Sequence, residues 1–152
     1  MRPGVRKRYL NDLVVGEFVE SRAMRVDLAD MLEYARRYDP QYFHADPVAA
    51  KESLFGEVIA SGLYTAALWR QLDHETSGDI AWICGVAWKD TRWPHALRAG
   101  DMVRARAECV SKRASQSDPS RGVVETRYQL VNQHDQTVFE CLSVNLIETG
   151  PR

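Results

Sequence analysis

The chain has 152 residues, 45% of them hydrophobic and 27% charged, which is the balance of a soluble globular protein able to bury one proper core. Its 20 basic and 21 acidic residues leave a formal charge of -1, without the basic excess expected of a nucleic-acid binder. No stretch approaches the roughly 18 apolar residues of a membrane span, and the basic start MRPGVRKRYL leads into no apolar signal core.

A single domain over residues 1–152 is therefore expected, in the cytoplasm and without a membrane partner, with residues 1–12 as a charged extended lead-in. Phe18 to Val26 forms a strand candidate after a turn at Gly16. Asp27 is placed to cap the helix that follows, because its carboxylate can accept from first-turn N–H groups. Leu28, Met31, Leu32 and Ala35 recur at i, i+3, i+4 and i+7, the stripe of an amphipathic helix. Pro40 ends it, since the residue before a proline is pushed out of the helical region. That residue is Asp39.

Residues 47–53 read as a short helix capped by Asp46, with Pro47 at its first position. From Val58 to Leu72 almost no polar face is left on the first three turns, which predicts a buried core helix. Beyond the polar turn at 73–79 the period changes to two. Trp82, Cys84, Val86 and Trp88 fall on one strand face, and Val103, Ala105, Ala107 and Cys109 on another. Residues 111–122 are a loop by composition, Val124 to Leu130 alternate again, and Val138 to Ile147 is the last strand. One strand, then helices, then four strands predicts an α+β domain with an antiparallel sheet wrapped around one buried helix. The three cysteines are expected as buried free thiols, and the scattered histidines give no metal-ligand spacing.

Chemistry concentrates between Tyr38 and Thr65. Asp39 and His44 supply an acid and a base, and the run Ala60-Ser61-Gly62 opens a helix whose first N–H groups are free to donate. Each feature also has a plain structural reading. An isolated Asp-Pro often caps a turn, and Ser61 reads as a helix cap or a small packing residue, not a nucleophile. In an ideal helix five positions amount to about 140° of rotation, so Asp39 and His44 meet only if the backbone bends between them.

The motif Asp39-Pro-Gln-Tyr-Phe-His44-Ala-Asp46-Pro47, followed by Phe55-Gly56, Ile59-Ala60-Ser61-Gly62-Leu63 and Arg98-Ala99-Gly100-Asp101, resembles the MaoC-like (R)-specific enoyl-CoA hydratases. That resemblance implies a hotdog fold, with Asp39 and His44 as catalytic groups that activate a water. It also implies Gly62 as the oxyanion donor, with Ser61 beside it in the substrate-binding turn. The implied substrate is a coenzyme A or acyl-carrier thioester, with no separate cofactor and no metal, and the implied assembly is a homodimer or larger homo-oligomer. Many members carry Asn-Pro where this chain has Tyr42-Phe43, and His-Gly where it has Ser61-Gly62. Two other readings share the fold: a thioesterase, which would need an acid on the central helix, and a non-catalytic acyl-CoA-binding protein. Basic residues at Lys112, Arg113 and Arg121, and at Arg92 and Arg98, read by default as solvated surface charge, with coenzyme A phosphates as the alternative partner.

Overall fold

The computed structural model describes residues 6–151. Six strands form one antiparallel sheet: β1 (Phe18–Glu20), β2 (Met24–Arg25), β3 (Trp82–Arg92), β4 (Met102–Ala114), β5 (Arg121–Val131) and β6 (Thr137–Glu148). The order is β1-β4-β5-β6-β3, and β2 also pairs with β4. Three helices stand apart from it: α1 (Leu28–Tyr38), α2 (Tyr42–Ala45) and α3 (Gly62–Ser77). This is the predicted sheet around a central helix. Val103, Ala105, Ala107, Tyr128, Leu130, Phe139 and Cys141 of the sheet pack with Leu68, Trp69 and Leu72 of α3 in one core. Trp69 is its centre, with ring centroids 4.7 Å from Tyr128, 5.2 Å from Phe139 and 5.3 Å from Trp88.

Local chemistry explains the element ends. Asp27 Oδ1 accepts from Ala29 N at 2.8 Å and Asp30 N at 3.1 Å, the cap expected of it. The single N-terminal strand is instead two. Ser21 Oγ accepts the N–H of Ala105 and the Ser21 N–H donates to the Ala105 carbonyl, so one residue takes both bonds and the ladder breaks there. The lead-in, of which residues 1–5 lie outside the described chain, is not an extended arm over 6–12. Leu10 and Leu13 bury themselves with Ala81, Cys109, Val124 and Ile147 in a second apolar cluster, and Arg8 pairs with Asp79 at 2.6 Å.

The connection expected at 111–122 shortens to a turn at 115–120, because β4 continues to Ala114. Lys112 lies on that strand and donates to the carbonyls of Leu10, Asn11 and Leu13. Its ammonium is thereby committed to fastening the lead-in. Arg121 pairs with Asp118 at 3.3 Å and Arg98 with Glu57 at 2.8 Å.

The core helix starts later and runs further than its apolar pattern predicts. Its solvent side carries Leu63, Ala67, Gln71 and His74, so one stripe is exposed in the isolated chain. Near its end Asp73 is 1% exposed and bonded to Ser77 Oγ at 2.8 Å and to Arg70. Burial pushes the Asp73 carboxyl up despite those partners.

β3 departs most from expectation. Register shifts at Trp82/Cys84, Gly85/Ala87 and Lys89/Arg92 interrupt its alternation, so no single face carries Trp82, Cys84, Val86 and Trp88. Cys109 and Cys141 are buried as expected, whereas Cys84 is exposed on this edge strand.

Candidate active site

Asp39 ends α1 in a non-helical conformation, φ -152° and ψ 68°, while its N–H still closes the last turn on the Ala35 carbonyl. Pro40 prevents continuation. The chain reverses and makes one further turn, α2, which places His44 at 6% exposure. The break between the two elements removes the 140° mismatch that a continuous helix would impose.

His44 is locked by its own main chain surroundings. Its Nδ1 lies 2.7 Å from the Ile59 carbonyl oxygen. A carbonyl only accepts, so Nδ1 carries a proton, and in the neutral ring Nε2 is the nitrogen left free to accept one. Nε2 is 3.8 Å from Asp39 Oδ2. That gap is too long for a direct hydrogen bond and suits one oxygen held by both groups.

Asp39 does not cap the Pro40 turn with its side chain. Oδ2 receives the Ser61 hydroxyl at 2.6 Å and Oδ1 the Gln41 amide at 3.1 Å. The first distance is that of a charge-assisted O–H···O⁻ bond. Those two bonds, Ser61 foremost, hold the carboxyl below the usual carboxylate range, and the proximity of His44 adds to them.

Ser61 works in both directions. Its Oγ also caps α3 by accepting from Leu63 N at 3.3 Å, so the acid is fastened to the start of the core helix. Gly62 is the first residue of that helix, and its N–H has no helical acceptor and makes no hydrogen bond among the described residues. Removing the Ser61 hydroxyl takes away the cap and the principal partner of Asp39 together. Ser61→Ala is expected to lower stability by about 1 kcal/mol and turnover by roughly tenfold, the size of one hydrogen bond to a charged group. Thermal unfolding and steady-state rates of the variant check both, and an unchanged rate would remove Ser61 from the site.

His44 and Gly62 line a cleft of about 270 Å³ together with Phe43, Phe55, Ile59 and Trp93 among others, while Asp39 and Ser61 stand behind its wall and reach it through these two neighbours. Of the two aromatics at the motif's departure point, Phe43 lines the cleft and Tyr42 is half exposed. Trp93 is a wall of the site: its Nε1 donates to the Gly62 carbonyl at 2.9 Å. A Cβ on Gly62 would come within 3.1 Å of the indole, so glycine is what lets the ring lie this close. His95, which the sequence reading did not single out, lines the same cleft. Its only local signal is the turn-forming Trp93-Pro94 pair ahead of it. Among the described residues no group of three or more His, Cys, Asp and Glu could hold a metal ion, and no helix is long and apolar enough to cross a membrane.

The model of the MaoC like domain family matches residues 12–133. A MaoC-like dehydratase from Rhodospirillum rubrum superposes with a TM-score of 0.86 at 31% identity, over 95% of this chain and 99% of that one. The uncharacterized protein YdeM of Bacillus subtilis is 26% identical over 133 residues, covering 86% of this chain and 92% of that protein. The (R)-hydratase of A. caviae involved in PHA biosynthesis shares the fold, with a TM-score of 0.69 at 18% identity over 91% of this chain and 98% of that one.

Proposed function

The chain belongs to the MaoC-like domain family, and on that premise we propose that it hydrates an enoyl thioester to the 3-hydroxyacyl thioester, or runs the reverse dehydration. The observation that supports this reading most is the meeting of Asp39, His44 and the Gly62 N–H at one end of α3. Water held between Asp39 Oδ2 and His44 Nε2 gives its proton to the pair as its oxygen bonds to the β-carbon. A proton returns from the pair to the α-carbon. Negative charge grows on the thioester oxygen meanwhile, and the Gly62 N–H at the positive end of α3 receives it. The cleft, at about 270 Å³, falls just under the range of roughly 300–1,000 Å³ typical of ligand pockets. With Phe43, Phe55 and Trp93 as walls, it favours a short acyl group.

The thioesterase reading requires an acid on the central helix facing the thioester. α3 does carry Asp73, which is buried, paired with Arg70 and Ser77, and absent from the cleft wall. It stands eleven residues beyond Gly62, roughly 16 Å along the axis at 1.5 Å per residue. The test of the proposal is the loss of enoyl-thioester absorbance with crotonyl-CoA and with longer and branched enoyl-CoAs. Turnover of a short enoyl-CoA is the expected result. Inactivity on every one, with acyl-CoA binding retained, would overturn it in favour of a binding protein.

We also propose that the working form is a homodimer joined through β3. This strand is an unpaired edge of the sheet and exposes Ile83 at 46%, Val86 at 60% and Trp88 at 50%. A long apolar edge left open is a template for pairing with another chain, and a charge on it blunts that pairing. Sedimentation is expected to give a dimer for the native chain and a monomer for Val86→Lys. A monomeric native chain at micromolar concentration would dispose of this assembly.

A further inference from the structure

We propose that His95 is a second recognition residue of the cleft, whose Nε2 accepts an amide N–H of the pantetheine arm that carries the acyl group. The proposal rests on the thioester reading above. Four observations carry it.

The first is the tautomer. His95 Nδ1 lies 3.0 Å from the Thr137 carbonyl oxygen. As at His44, a carbonyl can only accept, so Nδ1 donates, and whenever the ring is neutral Nε2 is left as an acceptor. Nε2 has no partner among the described residues. The complement of such a nitrogen is a neutral donor, not an anion.

The second is position. His95 lines the cleft yet is exposed, while Ala60, Leu97 and Val138 at the same cleft are buried. The imidazole therefore stands toward the mouth and the apolar groups form the floor. An acyl group belongs on the floor and its carrier arm passes the mouth. The pantetheine arm brings two secondary amides, each with one N–H donor.

The third is rigidity. The segment from Trp93 to Arg98 is fastened at both ends to the segment that carries the oxyanion turn. Trp93 Nε1 bonds the Gly62 carbonyl at 2.9 Å, the Leu97 carbonyl accepts the Ala60 N–H at 2.8 Å, and Arg98 bridges to Ile59. The Thr137 bond holds the middle. His95 thus keeps a fixed relation to Gly62, which is what a recognition group needs in order to bind without an ordering cost.

The fourth is that this acceptor is otherwise idle. It contributes nothing to the core, makes no ion pair among the described residues and lies outside the Asp39–His44–Ser61 linkage.

The test varies protein and substrate together. Crotonyl-CoA carries the arm, and S-ethyl thiocrotonate carries the same reacting group with no amide. His95→Leu is expected to lower kcat/KM for crotonyl-CoA about fivefold, mainly through KM, as the loss of one neutral hydrogen bond would. With S-ethyl thiocrotonate the ratio of native to variant is expected to fall to about one. His95→Gln, whose Oε1 can reach toward the same place, is expected to recover most of the loss. A fivefold loss with both thioesters, or with neither, overturns the proposal. Crotonyl-CoA and crotonyl-acyl carrier protein run in parallel tell the free cofactor from a protein-borne arm, and a loss with neither carrier again overturns it. If the native chain turns over no enoyl thioester, the hydration reading fails and binding decides His95. Butyryl-CoA held about fivefold more weakly by His95→Leu upholds the contact, and equal affinity sinks it.

Discussion

Replacing His44 by asparagine is expected to lower kcat for crotonyl-CoA by about 10² to 10⁴, the usual yield of a general acid–base group. Asparagine is the informative choice because its side-chain N–H₂ can still donate to the Ile59 carbonyl that now binds Nδ1 at 2.7 Å. It keeps the anchor and deletes only the Nε2 end. Alanine would also strand that carbonyl, and a buried unpaired acceptor costs on the order of 1–3 kcal/mol, which confounds rate with folding. Asp39→Asn is expected to cost a comparable factor while still accepting from Ser61. Its pH behaviour separates the two groups. Ser61 and Gln41 hold the Asp39 carboxyl below the ordinary range, so it is ionised at every pH above about 4. An acid limb in kcat between about pH 5 and 8 therefore cannot belong to Asp39, and Asp39→Asn should lower the profile without abolishing that limb. The linkage has the opposite consequence for stability. A depressed carboxyl pKa stabilises the fold above the unfolded value and ceases to do so as pH falls through the folded one. The stability gap between the native chain and Asp39→Asn should accordingly shrink below about pH 4. A His44→Asn enzyme that keeps a tenth of native turnover would end the role assigned to this pair.

The parts of the site that lie on regular elements were legible before the structure. The i, i+3, i+4, i+7 stripe and the Asp27 cap locate α1, and Pro40 fixes where it stops. The small-residue run at Ala60–Gly62 lies at the start of α3, four positions later than the apolar pattern from Val58 places it. What the chain order could not show is how Asp39 and His44 face each other, because the answer is α2. Four residues are too few to form a helix on their own propensity. Tyr42–Ala45 is held as a turn by neighbouring segments: the Phe43 carbonyl accepts Ile59 N at 3.1 Å, the Ala45 carbonyl accepts Arg36 Nε at 3.2 Å, and His44 Nδ1 meets the Ile59 carbonyl. Trp93 and His95 were illegible for a different reason. They reach the cleft from a connection 31 and 33 positions beyond Gly62, and no periodicity governs a segment after the bulged strand β3. Their place depends on sheet register, which single-strand alternation does not encode. β3 itself was misread because each register shift reverses the inward and outward faces beyond it.

The oxyanion role proposed for Gly62 can be isolated by a substitution that would be destructive in most helices. Gly62 occupies the first position of α3, where proline is favoured because the N–H there has no helical partner to lose. The preceding residue, Ser61, has φ -55° and ψ 141°, inside the region a following proline requires. Gly62→Pro therefore keeps the helix and removes one thing of catalytic interest, the donor itself. The control is Gly62→Ala. Both variants place a Cβ about 3.1 Å from the Trp93 ring, an approach the indole must yield to by a few tenths of an ångström. Only the proline variant lacks the N–H. The alanine enzyme is expected to lose turnover modestly, and Trp93→Phe in the same chain should return part of it by relieving the contact. The proline enzyme is expected to fall roughly 10² to 10³ further in kcat, the cost of one oxyanion donor, with thermal stability close to that of the alanine variant. Equal rates for the two variants would mean that the thioester oxygen is held elsewhere. In that case Asp39 and His44 would retain their water, and the charge that develops opposite them would have to be met by a group other than the first N–H of α3.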